Sequence, residues 1–156
     1  MKISEHLSLA EVVRSESAKR LGINNNPTEE HLVNLKELAI NIFEPLRKHF
    51  DTPIYVSSGY RSQGLNAKIK GSKTSQHCLG QALDLDMDFS SSGITNSMIF
   101  HYIKANLDFD QLIWEFGNTS EPDWVHVSYD KNKTKQRNQV LIAYKENGRT
   151  KYRNYA

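Results

Sequence analysis

Two histidines and one aspartate stand where they could hold a metal ion. His77 and Asp84 lie seven positions apart in "SQHCLGQALDLDM", and His126 follows in "DWVHVSY". Imidazole nitrogens and carboxylate oxygens bind zinc at about 2.0–2.2 Å, and a catalytic zinc site uses three protein ligands while leaving a position for water. Hydrolysis at such a centre is the chemistry this set would support. The His–Asp spacing alone is weak, because a loop histidine beside a polar strand residue is its ordinary reading.

Ligands drawn from separate segments need strands to bring them together. In "QALDLDM", Ala82, Asp84 and Asp86 alternate with Leu83, Leu85 and Met87, so a strand puts the carboxylates on one face and the apolar residues on the other. In "DWVHVSY" the same alternation places Trp124, His126 and Ser128 together. If these two strands are antiparallel neighbours, Asp84 meets His126 and His77 reaches in from the loop. Further strands are expected in "PIYVSS", "FDQLIWEF" and "QVLIAY".

Helices occupy the first half. "PTEEHLVNLKELAINIFEPLRKHF" carries Leu32, Leu35, Leu38, Ile42, Phe43 and Leu46 at helical spacing, and Pro45 should kink or end that helix. "SLAEVVRSESAKRLGI" reads as one or two short helices, "SQGLNAKIK" as another and "TNSMIFHYIKANL" as a later one. This order predicts an α+β fold, a small antiparallel sheet with helices packed on one side, and not a repeating βαβ plan.

With 156 residues, 38% of them hydrophobic, the chain suits one domain. A net charge of only +2, with basic residues gathered solely in "YKENGRTKYRNYA", argues against a nucleic-acid surface. The single cysteine, Cys78, excludes an intramolecular disulfide. No stretch approaches the ~20 apolar residues of a membrane span, and the N-terminus lacks a signal-peptide pattern, so the chain as written is expected to start in the cytoplasm.

"SSGYRS", "SQHCLGQALDLD", "LDFDQLIWEF" and "WVHVSY" occur together and in this order. On these motifs the chain resembles the zinc D-Ala-D-Ala peptidase superfamily. That group takes in bacterial D,D-carboxypeptidases and phage L-alanoyl-D-glutamate endolysins, and shares its fold with the Hedgehog signalling domain. The likeness is to the compact single-domain branch of bacteria and phages.

The resemblance implies His77, Asp84 and His126 as ligands of one zinc ion per chain. It implies Arg61, in "SGYRS", as the residue that holds a substrate carboxylate or carbonyl, a task suited to a planar guanidinium fork. Ser75 could donate a hydrogen bond to substrate or stabilise the turn.

Hydrolysis also needs a carboxylate to take a proton from water and pass it to the leaving amine. Asp123, three residues before His126, matches an acid of the peptidase branch, and Glu115, in "LIWEF", matches the glutamate of the Hedgehog-like relatives. Strict alternation points Asp123 away from His126, unless the strand begins after it. If the Glu115 strand neighbours that of His126, then Gln111, Ile113 and Glu115 share a face and line the pocket, with Gln111 able to contact substrate.

Asp86 reads either as a group orienting a ligand or as a plain strand residue. Cys78 reads as a small buried residue, and Trp114, Trp124, Tyr60 and Tyr129 as core or as an aromatic wall.

The expectation is a single zinc peptidase domain over residues 1–145 with a basic tail over 146–156. It is expected to be a monomer cutting peptide bonds in peptidoglycan stems or crossbridges, as a carboxypeptidase or as a phage or prophage endolysin. It binds neither nucleic acid nor membrane in this reading. The alternative is a non-catalytic, zinc-containing peptidoglycan-binding or phage structural module.

Overall fold

The computed structural model describes residues 1–156. Its helical first third is made of short capped segments, α1 (Leu9–Val13), α2 (Glu16–Leu21) and α3 (Glu29–Leu38). Ser8, Ser15 and Thr28 each accept a hydrogen bond from the first turn of the helix that follows, satisfying a donor that lacks an intrahelical partner.

The long helix expected across residues 27–50 is interrupted. Between α3 and α4 (Glu44–Phe50) the chain widens into a π-turn over Ala39–Phe43, where the Glu44 N–H donates to Ala39 O five residues back. Pro45 has no N–H to offer, and its ring would clash with the carbonyl four residues before it. The wider turn accommodates that clash while Leu35, Leu38, Ile42, Phe43 and Leu46 stay in the core.

The rest of the chain gives β1 (Val56–Ser58), α5 (Gln63–Lys68), a 3-10 turn at Gln76–Leu79, β2 (Ala82–Leu85) and a second 3-10 turn at Met87–Phe89. Then come α6 (Asn96–Asn106), β3 (Gln111–Glu115), β4 (Trp124–Ser128), β5 (Gln139–Glu146) and β6 (Arg149–Asn154). The strands form one sheet in the order β1-β2-β4-β3-β5-β6. The fold is α+β as expected, but the sheet is mixed, because β5 runs parallel to β3 while all other pairs are antiparallel.

Leu83, Leu85, Leu112, Trp114, Val125 and Val127 point from the sheet into the core, where they join α3, α4 and the buried Ile99, Phe100 and Ile103 of α6. The opposite face carries Asp84, His126 and Glu115. The helices therefore support the face that holds no chemistry. No helix is long and apolar enough to cross a membrane.

The segment read as a basic tail is in part a strand. Asn147 and Gly148, both at positive φ, turn the chain so that Arg149 pairs with Glu146 and β6 runs back along β5. Asn-Gly is the favoured pair for such a two-residue hairpin. Every residue of β6 is exposed, so no apolar alternation marks it in the sequence.

Candidate metal and peptide site

The register of β2 and β4 sets Asp84 directly opposite His126, close enough for their side chains to touch. On the other flank of β4, Ile113 lies opposite His126 and Glu115 opposite Trp124. All of these residues share one face. The expected meeting of Asp84 with His126, and the placing of Glu115 beside them, are both present.

His77 arrives from the 3-10 turn. Ser75 caps that turn, its Oγ accepting from the His77 N–H at 3.2 Å. The ring is oriented by a second contact, Nδ1 to Gly59 O at 2.7 Å. A carbonyl only accepts, so Nδ1 carries the proton and the neutral ring presents the lone pair of Nε2 to the site.

Gly59 can bring its carbonyl there because it has no side chain. A Cβ at this position would lie 2.5 Å from Val12 O, and the next residue donates its N–H to that same oxygen. This explains a glycine in "SSGYRS" by packing against α1.

His77 Nε2 lies 3.2 Å from Asp84 Oδ1, and His126 Nδ1 lies 3.1 Å from the same oxygen. The three groups' ligand atoms are all within 4.8 Å of one another. A bare imidazole lone pair facing a carboxylate oxygen is a contact between two acceptors, and only a proton or a metal cation makes it attractive. Two nitrogens and one carboxylate suit a zinc-type divalent ion. The residues fit the group.

Burial alone would raise the Asp84 pKa. When His77 and His126 carry protons on the nitrogens that face it, their charges and hydrogen bonds outweigh burial and hold the carboxyl well below the usual range. Its other oxygen, Oδ2, accepts from Arg61 Nη2 at 3.3 Å. Arg61 is steadied by Nε donating to Ser58 Oγ at 3.2 Å and by its N–H donating to His77 O at 3.1 Å.

Glu115 is 7% exposed. Burial pushes its pKa up to about 7; His126 and Arg61 oppose that rise, and the Asp84 charge adds to it. Asp123 donates its backbone N–H to Glu115 O at 2.9 Å. It is exposed, precedes β4, and adds its charge to those of Asp86 and Glu121 around Asp88.

The remaining sequence candidates separate by position. Asp86 caps the second 3-10 turn, accepting from the Asp88 N–H and from Asn96 Nδ2. Gln111 is on the site face but donates to Gln139 Oε1 at 2.9 Å. Cys78 is buried, and burial pushes its thiol pKa up despite Arg61. Trp114 and Tyr60 belong to the core and Tyr129 packs against it, whereas Trp124 is on the site face, its ring tilted against Phe116.

Sequence reading passed over Asp110, although "LDFDQ" contains it. This fully buried carboxylate accepts from Lys133 Nζ, Arg137 Nη2 and Gln76 Nε2, at 2.8, 2.8 and 3.1 Å. Through Gln76 it anchors the turn that carries His77.

A family model described as Peptidase M15 matches residues 5–128. No curated protein matches the chain.

Proposed function

The chain belongs to the Peptidase M15 family, and on that premise we propose that it is a zinc metallopeptidase hydrolysing peptide bonds in peptidoglycan stem or crossbridge peptides. The observation that carries this reading is the convergence of His77 Nε2, Asp84 and His126 Nδ1 on the sheet face that also holds the buried Glu115. When bound, zinc supplies Lewis acidity that polarises a carbonyl and activates water.

The chain's own residues do the rest. His77 and His126 offer lone pairs and Asp84 a negative charge, so the three together hold the ion. Arg61 reaches the same space with a weak 3.3 Å contact to Asp84, one it can exchange for a substrate carbonyl or carboxylate.

Glu115 takes the proton from the attacking water and delivers it to the amide nitrogen, so the products are a carboxylate and an amine. A pKa of about 7 suits a group that must accept and then return a proton at neutral pH. A divalent ion nearby adds positive charge and lowers that value.

A buried acid beside the metal-binding groups suits hydrolysis better than it suits a non-catalytic zinc module. Glu115 therefore favours the enzyme, and its position favours it over Asp123 as the base. The test is mass spectrometry of purified peptidoglycan and stem pentapeptides after incubation with zinc-loaded protein. Glu115→Gln should lower turnover by roughly 10²–10⁴-fold at unchanged zinc content. Equal turnover in Glu115→Gln and loss in Asp123→Asn would move the base to Asp123, and no cleavage by wild type would sink the peptidase reading.

A further inference from the structure

The site face continues past Glu115. Ala143 of β5 lies opposite Glu115, and Tyr152 of β6 lies opposite Ala143. Register partners share a face, so Glu115, Ala143 and Tyr152 form one row on the side of the sheet that holds Asp84 and His126. Neighbouring strands are about 4.8 Å apart, which sets Tyr152 roughly 10 Å from Glu115, backbone to backbone.

The residue between them is small. Ala143 is 1% exposed although the core helices pack on the opposite face, so the side chains beside it close over it. Tyr152 is 54% exposed, a large ring at the open edge of the site. Burial, with the Glu115 and Asp84 charges, pushes its phenol pKa up, so at neutral pH its hydroxyl keeps its proton and can donate. It lies beyond the residues 5–128 that match the family.

Arg61 enters from the β1 side of the sheet and Tyr152 from the β6 side, with Asp84, His126 and Glu115 on the strands between them. A peptide lying across the strands with its carboxyl side at Arg61 passes Glu115 and then runs toward Tyr152. The roughly 10 Å from Glu115 to Tyr152 corresponds to about three extended residues at 3.3 Å each.

We infer that Tyr152 is a specificity-determining residue that reads the length of the substrate. Its ring and hydroxyl contact a segment about three residues beyond Glu115 on the side away from Arg61, so the protein takes oligopeptides in preference to dipeptides. The inference rests on the peptidase reading of the site.

The experiment takes the stem peptide that zinc-loaded wild type cleaves, with versions shortened one residue at a time from the amino end. It compares wild type, Tyr152→Phe and Tyr152→Ala by kcat and KM, and by calorimetric binding of the uncut peptide to metal-free protein. Tyr152→Ala should weaken the longest peptide's kcat/KM and binding by roughly tenfold, chiefly through KM, and leave the shortest cleavable peptide unchanged. Tyr152→Phe, which keeps the ring, should fall between.

Equal losses on long and short peptides, or no loss on either with wild type active, would overturn the role of Tyr152 and leave the peptidase reading intact. If wild type with zinc bound cleaves no stem peptide, the peptidase reading fails and takes this inference with it.

Discussion

Two aspartates lie buried at the sheet, Asp84 on β2 and Asp110 just before β3, at 7% and 0% exposure. Burial opposes ionisation of both, and in both the neighbours win and hold the pKa well below the usual carboxylate range. The neighbours differ in kind. Lys133, Arg137 and Gln76 are donors at any physiological pH, so Asp110 is satisfied unconditionally. Asp84 faces two imidazoles, which donate to it only when suitably protonated, and one long contact to Arg61. A carboxylate closed by fixed donors is architecture, whereas one that waits for a proton or a cation is a binding site.

The contrast predicts opposite outcomes for two substitutions. Zinc at a thousand times its dissociation constant should stabilise wild type by about 4 kcal/mol, seen as a rise in the thermal midpoint, and Asp84→Asn should abolish that rise. Without metal, Asp84→Asn should cost less than Asp110→Ala, because its amide can donate to His77 Nε2 in place of the lost charge. An equally large metal-free loss at Asp84 would erase the distinction.

Asp110→Ala should cost about 3 to 4 kcal/mol with or without zinc, since it strips Lys133, Arg137 and Gln76 of their shared acceptor. The urea midpoint measures it. A neutral outcome would show that the network adds nothing to the anchoring of the His77 turn.

The pH dependence of metal-free stability sharpens the comparison further. Glu115 has a folded pKa raised from 4.5 to about 7, so the native state binds its proton more tightly than the unfolded chain. Its contribution is greatest below about pH 4.5, is lost as pH rises through 7, and amounts to on the order of 3 kcal/mol. Asp84 and Asp110 act in the other direction, with folded pKa values depressed, and lose their stabilisation as pH falls below the ordinary carboxylate range. Glu115→Gln should therefore flatten the neutral limb of the urea-midpoint profile and leave the acid limb in place. The smallest effect is expected from Ser75→Ala, about 1 kcal/mol for a lost cap, with a weakened zinc affinity read by titration.

Much of the site was legible because strand alternation is a local rule. It put Asp84 with Ala82 and His126 with Trp124 and Ser128, and a single antiparallel pairing joined them. The choice between Glu115 and Asp123 was not legible, since it turns on where β4 begins and which strand lies beside it. The turn of Ala39–Phe43 was foreshadowed by Pro45, but its π form depends on the core holding both flanking helices in place. Asn147-Gly148 suits a hairpin turn, yet β6 is exposed throughout, and without apolar alternation it read as a tail. The parallel pairing of β5 with β3 is a matter of topology, and so is the Gly59 carbonyl that orients His77.

The most direct test is the metal content of the purified protein by elemental analysis, in wild type, His77→Ala and Asp110→Ala. The account predicts about one zinc per chain in wild type, none in His77→Ala, and zinc retained by the folded fraction of Asp110→Ala. Zinc bound equally by His77→Ala, or none taken up by wild type when zinc is supplied, would contradict the claim that His77, Asp84 and His126 form a metal centre.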